Sequence, residues 1–126
     1  MRRLVAKAFV AVATEDVRIV GFYTLAAASL PLDLLPLEIK RKLPRYPTVP
    51  VARIGRLAVD GRHQGNKLGA TLLADAVLRA SRADMGVFAQ IVDAKDDAAE
   101  AFYGHYGFRS FAPRQLFMPL APVSVR

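Results

Sequence analysis

Between Arg56 and Arg82 the chain carries its densest chemical signal, a strand, a tight loop and a helix in succession. The strand, Ile54 to Val59, is apolar and β-branched. The loop, Asp60 to Asn66, holds Gly61 and Gly65. The helix begins near Lys67 and sets Leu68, Leu72, Leu73, Ala76, Val77 and Ala80 on one face. A glycine-bearing loop feeding a helix presents unpaired backbone N–H groups and the positive end of the helix dipole. That combination suits a phosphate. The same two glycines also serve an ordinary turn, and the loop alone leaves both readings open. It lacks the Gly-Lys-Ser/Thr of a Walker loop and the Gly-x-Gly-x-x-Gly of a dinucleotide fingerprint.

Other chemistries find less support. His63 and His105 lie far apart and lack paired ligand spacing, so no metal site is expected. There is no cysteine, which removes disulfides, thiolate zinc sites and a cysteine nucleophile. No Gly-x-Ser-x-Gly occurs, which argues against a serine hydrolase. Tyr103 taken alone reads as an amphipathic aromatic at a helix edge, with Phe102 filling the core.

The elements that must position these residues follow in order. Ala8 to Ala13 and Arg18 to Ala28 predict a hairpin, with Gly21 marking a bulge or a close backbone neighbour. Ser29 to Pro50 is punctuated by Pro31, Pro36, Pro44, Pro47 and Pro50, with one or two helical turns between Leu37 and Leu43. Lys40, Arg41, Lys42 and Arg45 crowd this segment, and Arg53 and Arg56 follow. These cations suit either a solvated loop face or a docking patch for an RNA backbone. Val87 to Asp93 predicts a buried strand, parallel to Ile54–Val59 through the helical crossover. Asp96 to Tyr106 predicts a helix with Ala98, Phe102 and Tyr106 on one face, stopped by Gly107. Phe108 to Phe111 and Gln115 to Leu120 close the sheet, with Pro113 and Pro119 pointing to an interrupted or edge position. The inventory is a mixed α/β layer in one domain spanning residues 1–126, with a crevice at the C-terminal ends of the parallel strands. A net charge of +7 on 126 residues favours a polyanionic partner. No apolar run approaches the roughly eighteen residues of a spanning helix, so a cytoplasmic protein without a membrane partner is expected.

Gln64-Gly65-Asn66-Lys67-Leu68-Gly69 resembles the Gln/Arg-x-x-Gly-x-Gly/Ala pyrophosphate loop of the GNAT N-acetyltransferases. Ala101-Phe102-Tyr103-Gly104-His105-Tyr106-Gly107-Phe108 resembles that family's Phe-Tyr-x-x-x-Gly-Phe signature. The resemblance implies acetyl-CoA as cofactor. It implies backbone contacts from Leu57, Ala58 and Val59 to the pantetheine arm and acetyl carbonyl, and from Gln64, Gly65, Asn66, Lys67, Gly69 and Ala70 to the pyrophosphate. It places Tyr103 as the acid that protonates the leaving thiolate, and Asp96 where many relatives contact pantetheine. There are two departures. Lys67 stands where the loop pattern has its first glycine. No glutamate occupies Arg53 to Asp60, where many relatives keep a general base.

One branch is resembled more fully. Gly21-Phe22-Tyr23-Thr24-Leu25, the basic proline loop, Ile54-Gly55-Arg56-Leu57-Ala58-Val59-Asp60 and Val92-Asp93-Ala94-Lys95-Asp96 look like the GNAT toxins of bacterial toxin–antitoxin pairs. That resemblance implies aminoacyl-tRNA as acceptor, bound by Lys40, Arg41, Lys42, Arg45, Arg53 and Arg56, and a ribbon-helix-helix antitoxin as partner. The first strand and helical pair usual in relatives are not expected here. The sheet edge so exposed predicts a homodimer. Acetyl transfer to another amine, or a non-catalytic CoA- or RNA-binding role, is the competing expectation.

Overall fold

The computed structural model describes residues 7–13, 18–41, 47–61, 67–82 and 86–120. Six strands form one sheet: β1 Lys7–Ala13, β2 Arg18–Pro31, β3 Thr48–Val59, β4 Ala89–Asp93, β5 Arg109–Ala112 and β6 Gln115–Pro119. Their spatial order is β1-β2-β3-β4-β6-β5. Only β3 and β4 run parallel, as the intervening helix requires. The helices are α1 Leu37–Lys40, α2 Leu68–Ala80 and α3 Asp97–His105.

Strand alternation divides the core between the two sheet faces. Tyr23, Leu25, Ala52, Ile54, Val92 and Leu116 form one buried cluster with Leu72, Leu73, Ala76 and Ala80 of α2 and Tyr103 of α3. The predicted stripe of α2 is the buried one, with Leu68 and Val77 at its margins. Val49, Val51, Ala89, Ile91 and Phe117 point to the opposite face and pack with Leu30 and Leu35. At Gly21 an added Cβ would stand 3.0 Å from Leu72 Cδ1, so the glycine admits α2 close to the sheet.

β2 and β3 extend beyond their expected ends. Ser29 pairs with Pro50 and Pro31 with Thr48, where the prolines predicted a loop. Pro31 ends its strand, and Pro50 precedes the point where β4 joins. β6 lies inside the sheet and not at its edge, with Pro119 as its last residue.

Two features prepare the site. First, β3 bulges: Tyr23 pairs with Leu57 and Leu25 with Ile54, so Gly55 and Arg56 together oppose Thr24. Thr24 Oγ1 accepts the Arg56 N–H at 3.1 Å. A Cβ at Gly55 would lie 2.9 Å from that oxygen. β4 pairs with β3 only from Val51 to Ile54, and beyond the bulge the two diverge. Second, the buried Tyr23 hydroxyl donates to Asp75 of α2 at 2.6 Å. Arg79 donates to the same carboxylate oxygen at 2.9 Å and lies 4.1 Å over the Phe9 ring. The helix is thus fixed to β1 and β2.

Tyr23's hydrogen bond, then Arg79's, holds the Asp75 carboxyl below the usual carboxylate range. A depressed carboxylate stabilises the fold above its unfolded pKa, about 3.9, and loses that contribution as pH falls through the folded value. Asp75→Ala strands the Tyr23 hydroxyl and is expected to destabilise by about 1–3 kcal/mol. Chemical denaturation from neutral to strongly acid pH should show the deficit narrowing only at the acid end.

Candidate active site

The divergence of β3 and β4 opens a cleft between the N-terminus of α2 and the flank of α3. Its outer part, about 450 Å³, is lined by Leu57, Ala58 and Val59 of β3, Lys67 to Ala70, Lys95, and Phe102 and Tyr106 of α3. Its inner part, about 350 Å³, is lined by Phe22, Gly55, Arg56, Leu57, Ala58, Asp93, Lys95, Ala99 and Tyr103. Leu57, Ala58 and Lys95 belong to both, so the two parts meet there.

The outer part fits a phosphorylated, elongated group. Among the described residues no strand pairs with β3 on the β4 side beyond Ile54, which leaves backbone donors and acceptors facing the cleft. The N–H groups of Leu68, Gly69 and Ala70 begin α2 and have no partner within it. Lys67, just before them, is left-handed at φ 62°, ψ 21° and makes no side-chain cap. That backbone is why a glycine suits this position. Gln64, Gly65 and Asn66 lie outside the described residues.

Tyr103 owes its position to the end of α3. Gly107 at φ 101° donates its N–H to Gly104 O, and Phe108 donates to Tyr103 O, both at 3.1 Å. This is a Schellman motif, with the Phe108 ring edge-on to Tyr103 at 5.8 Å. The spacing Tyr-x-x-x-Gly-Phe therefore encodes a helix stop that clamps the tyrosine. Tyr103 is buried and pairs edge-on with Phe102 at 5.3 Å. Burial, and secondarily the charge of Asp93, pushes its hydroxyl above the ordinary phenol range. Tyr103 is the buried residue of α3, Ala99 and Phe102 pack against the core at its margins, and Phe102 with Tyr106 also lines the cleft. Ala98 and Tyr106, expected on the core face with Phe102, are exposed.

The remaining expected residues divide. Arg56 lines the inner cavity. Asp96 lines neither part. Its carboxylate accepts the Ala99 N–H at 2.8 Å and caps α3. Arg53 gives its Nε and Nη2 to Asp93 Oδ2, at 3.0 and 2.8 Å. Lys40 pairs with Asp33 at 3.5 Å, while Arg41 is exposed. Lys42, Arg45 and His63 lie outside the described residues. Phe22, Asp93 and Lys95 line the inner cavity without having been singled out as site residues. No metal-binding cluster occurs among the described residues.

Residues 2–118 match the family described as the GNAT acetyltransferase domain. The chain belongs to that family. It is 42% identical over 99 residues to a tRNA-acetylating toxin of Mycobacterium tuberculosis, covering 77% of this chain and 58% of the relative. The chain thus spans less than two thirds of that relative's length. A crystal structure of KacT with a tyrosine changed to phenylalanine superposes with a TM-score of 0.84 at 29% identity, over 91% of this chain and 71% of that one. AtaT in complex with acetyl-methionyl-tRNAfMet gives 0.81 at 30%, over 90% and 71%. AtaTR bound with AcCoA gives 0.76 at 30%, over 91% and 70%.

Two substitutions test the local architecture. Lys67→Gly relieves a left-handed side-chain residue and is expected to raise the unfolding free energy by up to about 1 kcal/mol. Gly107→Ala should lower it by roughly 1–2 kcal/mol and alter the near-UV signal of the Tyr103–Phe108 pair. Equilibrium denaturation with circular dichroism reads both.

Proposed function

We propose that this chain transfers an acetyl group from acetyl-CoA to the α-amino group of an aminoacyl-tRNA, as the toxin of a toxin–antitoxin pair. The observation that carries this reading is the continuous cleft. A phosphate-suited helix start lies at one end, Tyr103 at the other, and Arg56, Lys67 and Lys95 line its walls. The likeness to a tRNA-acetylating toxin and to AtaT complexed with acetyl-methionyl-tRNAfMet narrows the acceptor.

Acetyl-CoA brings the acetyl group already activated as a thioester. The protein's work is then positioning and proton transfer. The first-turn N–H groups of α2, with Gln64, Gly65, Asn66 and Lys67, hold the pyrophosphate. The unpaired edge of Leu57, Ala58 and Val59 holds the pantetheine arm as an added strand would be held. Tyr103, whose burial holds its proton more tightly than an ordinary phenol's, supplies that proton to the departing sulfur. Arg56 and Arg41, with Lys42 and Arg45, neutralise tRNA phosphates. Lys40 and Arg53 already share carboxylates and contribute less.

The proposal includes a ribbon-helix-helix antitoxin, a cytoplasmic location and a homodimer formed at a sheet edge. Among the described residues the sheet's edges are β1 and β5, and no helix is long and apolar enough to cross a membrane. Light scattering at micromolar concentration is expected to give twice the chain mass.

The deciding experiment is calorimetric titration with acetyl-CoA followed by transfer of labelled acetyl to charged tRNA. Saturable binding with label on the aminoacyl end is expected. Transfer to a small or protein amine, unaffected by charged tRNA, would overturn the acceptor assignment, and absence of binding would overturn the enzyme reading. Tyr103→Phe should lower turnover by about 10²-fold or more while acetyl-CoA affinity is retained.

A further inference from the structure

The inner cavity is poorly suited to an amine on its cationic side. Arg56 and Lys95 both line it, and an acceptor amine arriving as an ammonium meets their repulsion. One group answers that charge. Asp93 is the only carboxylate lining the cavity among the described residues, and it lies at the C-terminal end of β4. We propose that Asp93 receives the acceptor's ammonium group and takes one proton from it, in place of the glutamate that β3 lacks. The inference rests on the acetyl-transfer reading above and names the residue that prepares its nucleophile.

The geometry of Asp93 supports the role. Arg53 directs both its donors at Oδ2, and Gln115 of β6 reaches Oδ1 at the longer distance of 3.3 Å. A carboxylate has about four lone-pair directions, so Oδ1 keeps acceptor capacity for a further donor. The side chain is 41% exposed and open to an incoming group. Arg53 and Gln115 fix it from the sheet, and Tyr103, Arg56 and Lys95 line the same cavity. An ammonium held at Asp93 would therefore share one cavity with Tyr103. The electrostatic influence of Asp93 on the Tyr103 hydroxyl shows the two groups sense each other.

The proton balance is simple. The ammonium gives one proton to the carboxylate and becomes a neutral amine with a free lone pair. The carboxylic acid then returns that proton to solvent, regenerating Asp93. Tyr103 holds a separate proton on the other side of the reaction, so acid and base do not compete for one site.

The test uses a stable aminoacyl-adenosine in which an amide replaces the ester, together with its N-acetylated form. The wild-type chain is expected to bind the free-amine probe roughly tenfold or more tightly, the effect of one hydrogen bond to a charged group. Asp93→Asn should bind both forms alike. Its transfer rate to charged tRNA should fall most at low pH and recover as pH rises and the acceptor arrives unprotonated. If Asp93→Asn does not fold, Arg53→Gln serves, because freeing Oδ2 should widen the preference for the free amine. A wild-type chain indifferent to the amine, or an Asp93→Asn variant with an unchanged preference and pH profile, overturns the assignment. Should the wild type bind the amine through Asp93 yet transfer nothing to charged tRNA, the acetyl-transfer reading fails and Asp93 remains an amine-binding residue.

Discussion

The bulge at Gly55 and Arg56 is the constraint on which the site depends. A regular ladder would let β3 and β4 pair along their whole length and close the sheet over the cleft. Two residues opposing Thr24 turn β3 away after Ile54. The strand then satisfies its backbone through β2 on one side only. The groups left over on the other side are a cleft wall ready to pair with an extended ligand. The Thr24 hydroxyl stabilises the bulge by accepting the Arg56 N–H, and the same closeness excludes a side chain at Gly55. Opening the sheet would serve nothing if α2 could drift. The Tyr23–Asp75–Arg79 network and the close approach at Gly21 fix the helix so that its first turn stays at the mouth of the cleft.

Tyr103 shows how stability and chemistry share one residue. Its ring belongs to the main core, and its backbone carbonyl accepts the hydrogen bond that ends α3. A residue so held has little freedom to leave its rotamer, which is what a positioned acid needs. Burial also keeps the phenol protonated. The helix is held at its other end by Asp96, and Arg114 of the β5–β6 turn pairs with Glu100 at 3.0 Å. α3 is thus anchored at its N-terminal end by Asp96 and at its C-terminal end by the stop that clamps Tyr103 itself.

Much of this was legible in the sequence because it is local. The stripe of α2, the stop at Gly107 and the parallel β3–α2–β4 unit each follow from periodicity or a single residue's conformational freedom. The Gln64–Gly69 run and the Phe-Tyr-x-x-x-Gly-Phe run pointed to the family that residues 2–118 match. What was not legible depends on partners distant in sequence. Pro31 and Pro50 read as loop, but strand pairing tolerates them where a neighbouring strand is absent on one side. Ala98 and Ala99 are equivalent to a periodicity argument, and only packing against the sheet decides between them. Asp96, read as the first residue of the helix, is its N-cap, the role an acidic residue just ahead of a helical run signals. Asp93 looked like the end of a buried strand. Its place beside Tyr103 arises from the divergence of two strands and has no linear signature.

The distribution of charge completes the argument. A net +7 is a property of the whole chain, but its effect depends on which cations are neutralised. Arg53, Arg79, Arg109, Arg114 and Lys40 each share a carboxylate within 3.5 Å. Arg56, Lys67 and Lys95 make no ion pair among the described residues, and all three line the cleft. Three uncompensated cations thus face the cleft, and low-dielectric walls concentrate their field there. Such a field draws in polyanions and repels free ammonium ions alike. An amine carried on a polyanion meets both conditions, since its phosphates are attracted at the rim and its own charge needs only one local carboxylate inside.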